Sequence, residues 1–308
     1  MPASKAGPLQ RVTARLCAGL FVAWALALPA YAEAPLASVE QACKLIGGRL
    51  RSVGVQTCLK AGLRTSTGAS VNGQPLLWRD YMPSSRRVTP RRVLLIGGIH
   101  GDELSSVSVV FQWMQRLSQE RFQPFHWRVI PSANPDGLLK RPPTRVNANG
   151  VDLNRNFPTE NWEAEALTYW KQKTKSDPRR YPGKKPLSEP ESRWLTRVIL
   201  QFKPDAIVSV HAPFGVLDYD GPRAPPDRFG YLHLHLLGTY PGSLGNLVGV
   251  DTGLPVITLE LPHAGIMPTP QQAQRVWADM LTWLEKNLPK REPALYMRLE
   301  DHPWDDQQ

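Results

Sequence analysis

From Arg92 onward, short apolar runs alternate with longer amphipathic stretches, and this alternation constrains the fold more than any other feature of the chain. Residues 93–96, 127–130, 206–210 and 256–261 have the length and composition of strands, whereas 104–117, 189–202 and 270–287 carry helical spacing. Strand and helix in turn predict an α/β protein with helices on both faces of a central sheet that is mixed, largely parallel and twisted. At 308 residues, 42% of them hydrophobic, the chain can bury one large core or two modest ones. No internal repeat interrupts this pattern.

The ends read differently. Lys5, Arg11 and Arg15 precede a short apolar stretch, 16–28, and Ala30-Tyr31-Ala32 supplies a small-x-small cleavage pattern. Residues 1–32 therefore read as a secretory signal cut after Ala32; an uncleaved anchor is the alternative, but the run is short for a bilayer. Cys17 sits at the start of that run, which argues against a lipoprotein signal. Signal removal leaves Cys43 and Cys58, an even pair in an oxidising compartment, so a disulfide is expected in preference to metal binding by the thiols. Residues 33–88 form an N-terminal segment with a helix over 39–50 and a hairpin-like stretch over 65–73. Residues 89–288 read as the catalytic domain, and 289–308 as a flexible tail.

Charge adds one constraint. The net charge of +10 becomes +7 without the three signal cations. Much of it lies in 171–193, where Lys171, Lys173, Lys175, Arg179, Arg180, Lys184, Lys185 and Arg193 surround Pro178, Pro182, Pro186 and Pro190. That proline density excludes a long helix, so the stretch is a loop or insertion. It either attracts an anionic polymer or forms a solvated surface. No aromatic interleaving or binding motif points to nucleic acid.

The run 93–96 empties into Gly97-Gly98-Ile99-His100-Gly101-Asp102-Glu103. Flanking glycines let the backbone turn sharply at the strand exit, bringing an imidazole and a carboxylate three residues apart toward one point. Zn²⁺ in a hydrolase takes three such ligands and keeps one position open. A third fits at His211, directly after the apolar strand 206–210, where α/β sheets present functional groups. His126, His233, His235 and His263 are weaker candidates: His233 and His235 alternate with leucines as on a strand with one polar face, and His126 lies between Phe125 and Trp127 in what reads as a packed edge. Glu260 stands in an apolar strand, a costly place for a carboxylate unless it is paired or faces a cleft. It is the candidate general base.

Two further motifs, Asn134-Pro135-Asp136-Gly137 and Gly150-Val151-Asp152-Leu153-Asn154-Arg155-Asn156-Phe157-Pro158, follow in order. Together these segments resemble the zinc metallocarboxypeptidases, carboxypeptidase A-like enzymes, and within them the murein peptide amidase branch; the likeness covers roughly 92–288. The resemblance implies one Zn²⁺ per chain on His100, Glu103 and His211, with Glu260 as general acid/base. It implies that Asn154 and Arg155 hold the substrate's terminal carboxylate, a task suited to a guanidinium fork, and that Asp152 orients the first zinc histidine. Arg145 is the candidate for polarising the scissile carbonyl. Family members with a mobile Tyr before the catalytic Glu leave three options here, Tyr219, Tyr231 and Tyr240, and no motif chooses among them.

The resulting expectation is a zinc peptidase or amidase that is periplasmic or otherwise exported. It would hydrolyse an amide next to a free carboxylate, by analogy the γ-D-glutamyl–diaminopimelate bond of murein peptides, and be without a membrane span once the signal is cut. Two rivals are an N-acyl amino acid deacylase of the aspartoacylase and succinylglutamate desuccinylase type, and a non-catalytic cell-wall binding protein.

Overall fold

The computed structural model describes residues 38–84 and 90–289. The expected signal 1–32, with Cys17, and the expected tail beyond residue 289 lie outside the described residues. Among the described residues there are nine strands: β1 (Arg64–Ala69), β2 (Pro75–Tyr81), β3 (Arg91–Gly97), β4 (Phe125–Ile130), β5 (Ala206–His211), β6 (Val216–Asp220), β7 (Arg228–Phe229), β8 (Leu232–Leu234) and β9 (Val256–Glu260). They join in one sheet, ordered β1-β2-β4-β3-β5-β9-β6-β8-β7.

The centre of that sheet follows from β3. Val93 through Ile96 are fully buried, and successive side chains enter different cores: Val93 and Leu95 one, Leu94 and Ile96 the other. A strand buried on both faces belongs inside a covered sheet, and parallel pairing is its usual state. β4, β3, β5 and β9 are accordingly parallel neighbours. Antiparallel strands flank them, with the β1–β2 hairpin on β4 and β6 on β9. The sheet is mixed as expected, with parallel pairing concentrated in its middle.

Helices α1 (Val39–Arg49), α2 (Gly54–Lys60), α3 (Leu104–Gln119) and, later in the chain, α7 (Pro270–Asn287) contribute to one core. Trp277 of α7 stacks between Trp113 of α3 and Trp127 of β4, with ring centroids 5.3 and 5.1 Å away. Between these in the chain come α4 (Pro135–Leu139), α5 (Trp162–Gln172) and α6 (Pro190–Phe202). The opposite core is built by α6 and a π-helical segment, Gly245–Asp251.

Residues 38–84 extend the sheet and share its core, and the described residues make one compact unit. Cys43 and Cys58, both fully buried, are joined in a disulfide that clips α1 to α2. His126 is not at an edge: β4 lies between β2 and β3, and His126 Nε2 faces Asp80 at 3.5 Å. In the basic stretch, Lys171 lies in the last turn of α5, Pro178–Arg180 makes one 3₁₀ turn, and the rest is irregular up to α6.

Candidate metal and active site

The turn after β3 carries His100 and Glu103, the latter immediately before α3. Backbone contact holds this turn in place. A Cβ on Gly101 would overlap the backbone of Gly137, so glycine is required where the two segments cross. Asn134 caps α4 by accepting from Gly137 N at 2.9 Å, and Asn134 N donates to Gly98 O at 2.9 Å. Asp136 accepts from Ser70 Oγ at 2.7 Å and Asn72 N at 2.9 Å, tying the β1–β2 turn to the same region. The Asn-Pro-Asp-Gly motif is thus a scaffold under the His100 turn.

His211 ends β5 beside Glu260 at the end of β9, the two being register partners on parallel strands. His100, Glu103 and His211 are 3% exposed each, and their ligand atoms lie within 4.8 Å of one another. His100 Nδ1 is 2.7 Å from Glu103 Oε1, His211 Nδ1 is 3.0 Å from Glu103 Oε2, and the two Nδ1 atoms are 3.1 Å apart.

The outer nitrogens define what these groups can bind. His100 Nε2 is 3.1 Å from Asp152 Oδ1, and His211 Nε2 is 2.9 Å from Ser209 Oγ. Burial pushes the Asp152 carboxyl up, but Arg145 and His100 outweigh it and hold Asp152 well below the ordinary range. It stays ionised and accepts from His100 Nε2–H, which leaves the Nδ1 lone pair facing Glu103. His100 Nδ1, His211 Nδ1 and the Glu103 carboxylate converge, and a cation bound by two neutral imidazoles and the carboxylate would satisfy all three. The site's preference for positive charge shows in His100: burial and Arg145 disfavour the charged ring, yet Glu103 and Asp152 pull its pKa up, so a cation here would take the place of that ring's second proton. The donor set, two nitrogens and one carboxylate, suits Zn²⁺.

These groups open into a cleft of about 200 Å³ that also holds Arg145, Asn154, Arg155, Arg180, Tyr240 and Glu260. Arg145 Nε donates to Asp152 Oδ2 at 3.0 Å, and its Nη1 is 3.7 Å from Glu103. One carboxylate therefore orients both His100 and Arg145. Asn154 and Arg155 stand on a 3₁₀ turn, Leu153–Arg155, capped by the same Asp152, whose Oδ1 accepts from Asn154 N at 3.0 Å. Arg155 lies 4.2 Å over the Tyr240 ring centroid. Gly242, at φ +79°, lets its loop press against the Arg155 carbonyl, where any side chain would collide. That approach brings Tyr240 into the cleft. Tyr219 packs on Trp283 and Tyr231 against the α7-side core, so of the three tyrosines left open, Tyr240 faces the site.

Glu260 is 7% exposed, and Phe214 N approaches its Oε2 at 3.5 Å. Burial raises its pKa, Glu103 adds to the rise and His211 opposes it. A carboxylate so placed is a stronger proton acceptor than one in water. The basic stretch reaches the rim, where Arg179 pairs with Asp102 at 2.8 Å and Arg180 lines the cleft. Of the weaker histidines, exposed His233 stands on β8 beside buried Leu232, as on a strand with one polar face; His126, His233, His235 and His263 do not line the cleft. Sequence reasoning missed two cleft residues, Asp218 and Asp220, because β6 does not read as a strand.

Comparison with known proteins agrees with this geometry. The zinc carboxypeptidase family model matches residues 63–227, from before the β1–β2 hairpin to beyond His211. Murein peptide amidase A of Escherichia coli K12 is 33% identical over 229 residues, covering 71% of this chain and 90% of that protein. The protein of that name from Vibrio campbellii is 35% identical over 205 residues, covering 64% and 79%. The crystal structure of the murein-tripeptide amidase of E. coli O157 superposes with a TM-score of 0.51 at 29% identity, covering 72% and 91%. Bovine thrombin-activatable fibrinolysis inhibitor, at 16% identity and a TM-score of 0.57 over 82% of this chain and 98% of that one, shares the fold. With its convergent His-Glu-His cluster, this chain belongs to the zinc carboxypeptidase family and is a zinc-dependent metallohydrolase.

Proposed function

We propose that this chain is an exported amidase that carries one Zn²⁺ on His100, Glu103 and His211 and cleaves the γ-D-glutamyl–diaminopimelate bond of murein peptides. The observation that carries the chemistry is the convergence of two imidazole nitrogens and a carboxylate in a cleft that also contains Glu260, Arg145 and Arg155. The substrate rests on the relatives, two curated murein peptide amidases and a solved one. Export is supported by the sequence of residues 1–32 and by the Cys43–Cys58 disulfide. No described helix is long and apolar enough to cross a membrane.

Each residue has a part in this reading. The Asn154 and Arg155 side chains hold the terminal carboxylate of the substrate, and Tyr240 closes on the same end. Arg145, fixed by Asp152, donates to the scissile carbonyl oxygen as it gains negative charge. Glu260 takes a proton from the attacking water and returns it to the leaving amine. When bound, Zn²⁺ supplies Lewis acidity and a lowered water pKa at this point.

The test is digestion of murein tripeptide by the zinc-loaded protein, with products read by mass spectrometry and a His100→Ala control. Release of free diaminopimelate that requires zinc and His100 is expected. An intact peptide alongside cleavage of acylated amino acids would instead favour the deacylase reading.

A further inference from the structure

The amidase reading gives no task to the lysines of the basic stretch 171–193. Among its cations, Arg179 and Arg180 pair with Asp102 and Asp177 at 2.8 and 3.6 Å, and Arg193 donates to the carbonyls of Leu187 and Ser188. The others, Lys171, Lys173, Lys175, Lys184 and Lys185, are exposed and have no ion-pair or hydrogen-bond partner among the described residues. Acids do not stand among them. Glu189 and Glu191 are buried and accept from Asn147, while Glu163 and Glu165 occupy the first turn of α5, about 9–12 Å along the helix from Lys171. The outcome is a surface of one sign.

Although irregular, this stretch is held on the motif that supplies Asn154 and Arg155. Asn156 is fully buried; its Nδ2 donates to the carbonyls of Pro182 and Lys185 at 2.8 and 2.9 Å, and its Oδ1 accepts from Glu189 N and Ser192 Oγ at 3.2 and 2.6 Å. Tyr181 O accepts from Asp152 N at 2.8 Å, and Trp170 packs on the Tyr181 ring with centroids 4.9 Å apart. The lysines therefore stand on backbone that is already ordered, and a ligand that binds them does not bear the cost of ordering a loop. Arg180 carries the positive surface into the cleft, so an anionic chain lying along the lysines is led toward the active site.

We propose that these five lysines form a docking surface for polymeric murein, so that the enzyme works on peptide stems still attached to the glycan. This rests on the amidase reading, which identifies the polymer: a γ-linked glutamate keeps its α-carboxylate free, and stems along a glycan repeat that charge. Exposed ion pairs are individually weak, and a single small anion gains little from them, whereas a chain of carboxylates engages several at once. An anionic bilayer fits less well. Segments that lie on membranes set large apolar side chains beside their cations, and no large hydrophobic residue of 171–193 is exposed.

The test measures co-sedimentation of the zinc-loaded full chain with purified murein sacculi trimmed to tripeptide stems, beside kcat/KM on free murein tripeptide. Native protein is expected to sediment at low salt, to be released as salt rises, and to free diaminopimelate from the sacculi. Replacing Lys171, Lys173, Lys184 and Lys185 together by glutamine is expected to weaken sacculus binding about tenfold or more and to slow release from sacculi correspondingly, with kcat/KM on tripeptide within about twofold of native. Native protein that cleaves tripeptide but fails to sediment with sacculi, or to free diaminopimelate from them, overturns the proposal and leaves the amidase reading intact. A variant that binds sacculi within about twofold of native overturns it as well, as does one whose loss on tripeptide matches its loss on sacculi. Tighter binding to phosphatidylglycerol vesicles than to sacculi overturns it in favour of a membrane surface. Salt-sensitive sacculus binding by a protein that cleaves neither substrate supports the docking surface and defeats the amidase reading.

Discussion

Asp152→Asn isolates the positioning of the metal site from its ligands. Asp152 is fully buried and gives one oxygen to His100 Nε2 at 3.1 Å and the other to Arg145 Nε at 3.0 Å. Asparagine keeps the shape but offers one acceptor, so its amide group must face one of these two donors. Loss of one charge-assisted hydrogen bond costs about 1.5–3 kcal/mol. Where the loss falls on a metal-binding histidine, zinc affinity drops about 10- to 100-fold, consistent with about 1.4–2.8 kcal/mol. The assay is competition with a chromophoric chelator for Zn²⁺, with zinc-free protein melted in parallel to confirm folding. A dissociation constant within about twofold of native, in a folded variant, would refute the argument that Asp152 fixes the His100 tautomer.

Glu260→Gln should lower kcat by about 10²- to 10⁴-fold with zinc affinity near native; a fall of less than about threefold would remove Glu260 from proton transfer. Replacing Cys43 and Cys58 together by serine should cost about 3 kcal/mol for a 15-residue loop, read by urea unfolding with and without reductant; equal stability in both conditions would mean that the bridge constrains nothing. Glu191 is fully buried, and burial lifts its pKa from 4.5 to about 7. The folded state therefore holds its proton longer than the unfolded chain. Its penalty is absent below about pH 4.5 and complete above about pH 7, where it reaches about 3 kcal/mol. Glu191→Gln should flatten the pH dependence of stability across that window, less the hydrogen bond its amide cannot reproduce with Asn147 or Val71 N; an unchanged slope in urea unfolding would sink this reading.

The parallel centre of the sheet was legible because its strands are buried on both faces and read as unbroken apolar runs. His100 and Glu103 were legible because they follow such a run through a glycine turn, His211 because it ends one and Glu260 because it stands within one. The antiparallel wing was not. β6 spends two of its five positions on aspartate, and the π-helical segment carries Gly245 and Gly249, which signal a loop to any local rule. α2 opens with a glycine and α5 runs into the lysine- and proline-rich stretch, so neither stood out. Tyr240 could not be chosen from sequence, since what places it is the close approach of Gly242 to the Arg155 carbonyl, a contact between residues 87 positions apart. His126 was misplaced because one strand's pattern does not say how many neighbours it has.

The sheet divides its labour at β9. On one side, parallel strands and the crossing of Gly101 with Gly137 hold the metal-binding groups so closely that few substitutions are tolerated. On the other, β6 pairs with β9 through backbone hydrogen bonds that do not depend on what its outward side chains are. A change at residue 218 or 220 leaves the backbone register that sets His211 beside Glu260 in place. A lineage built on this frame can therefore exchange one substrate for another by drift in the wing while its hydrolytic chemistry is inherited intact.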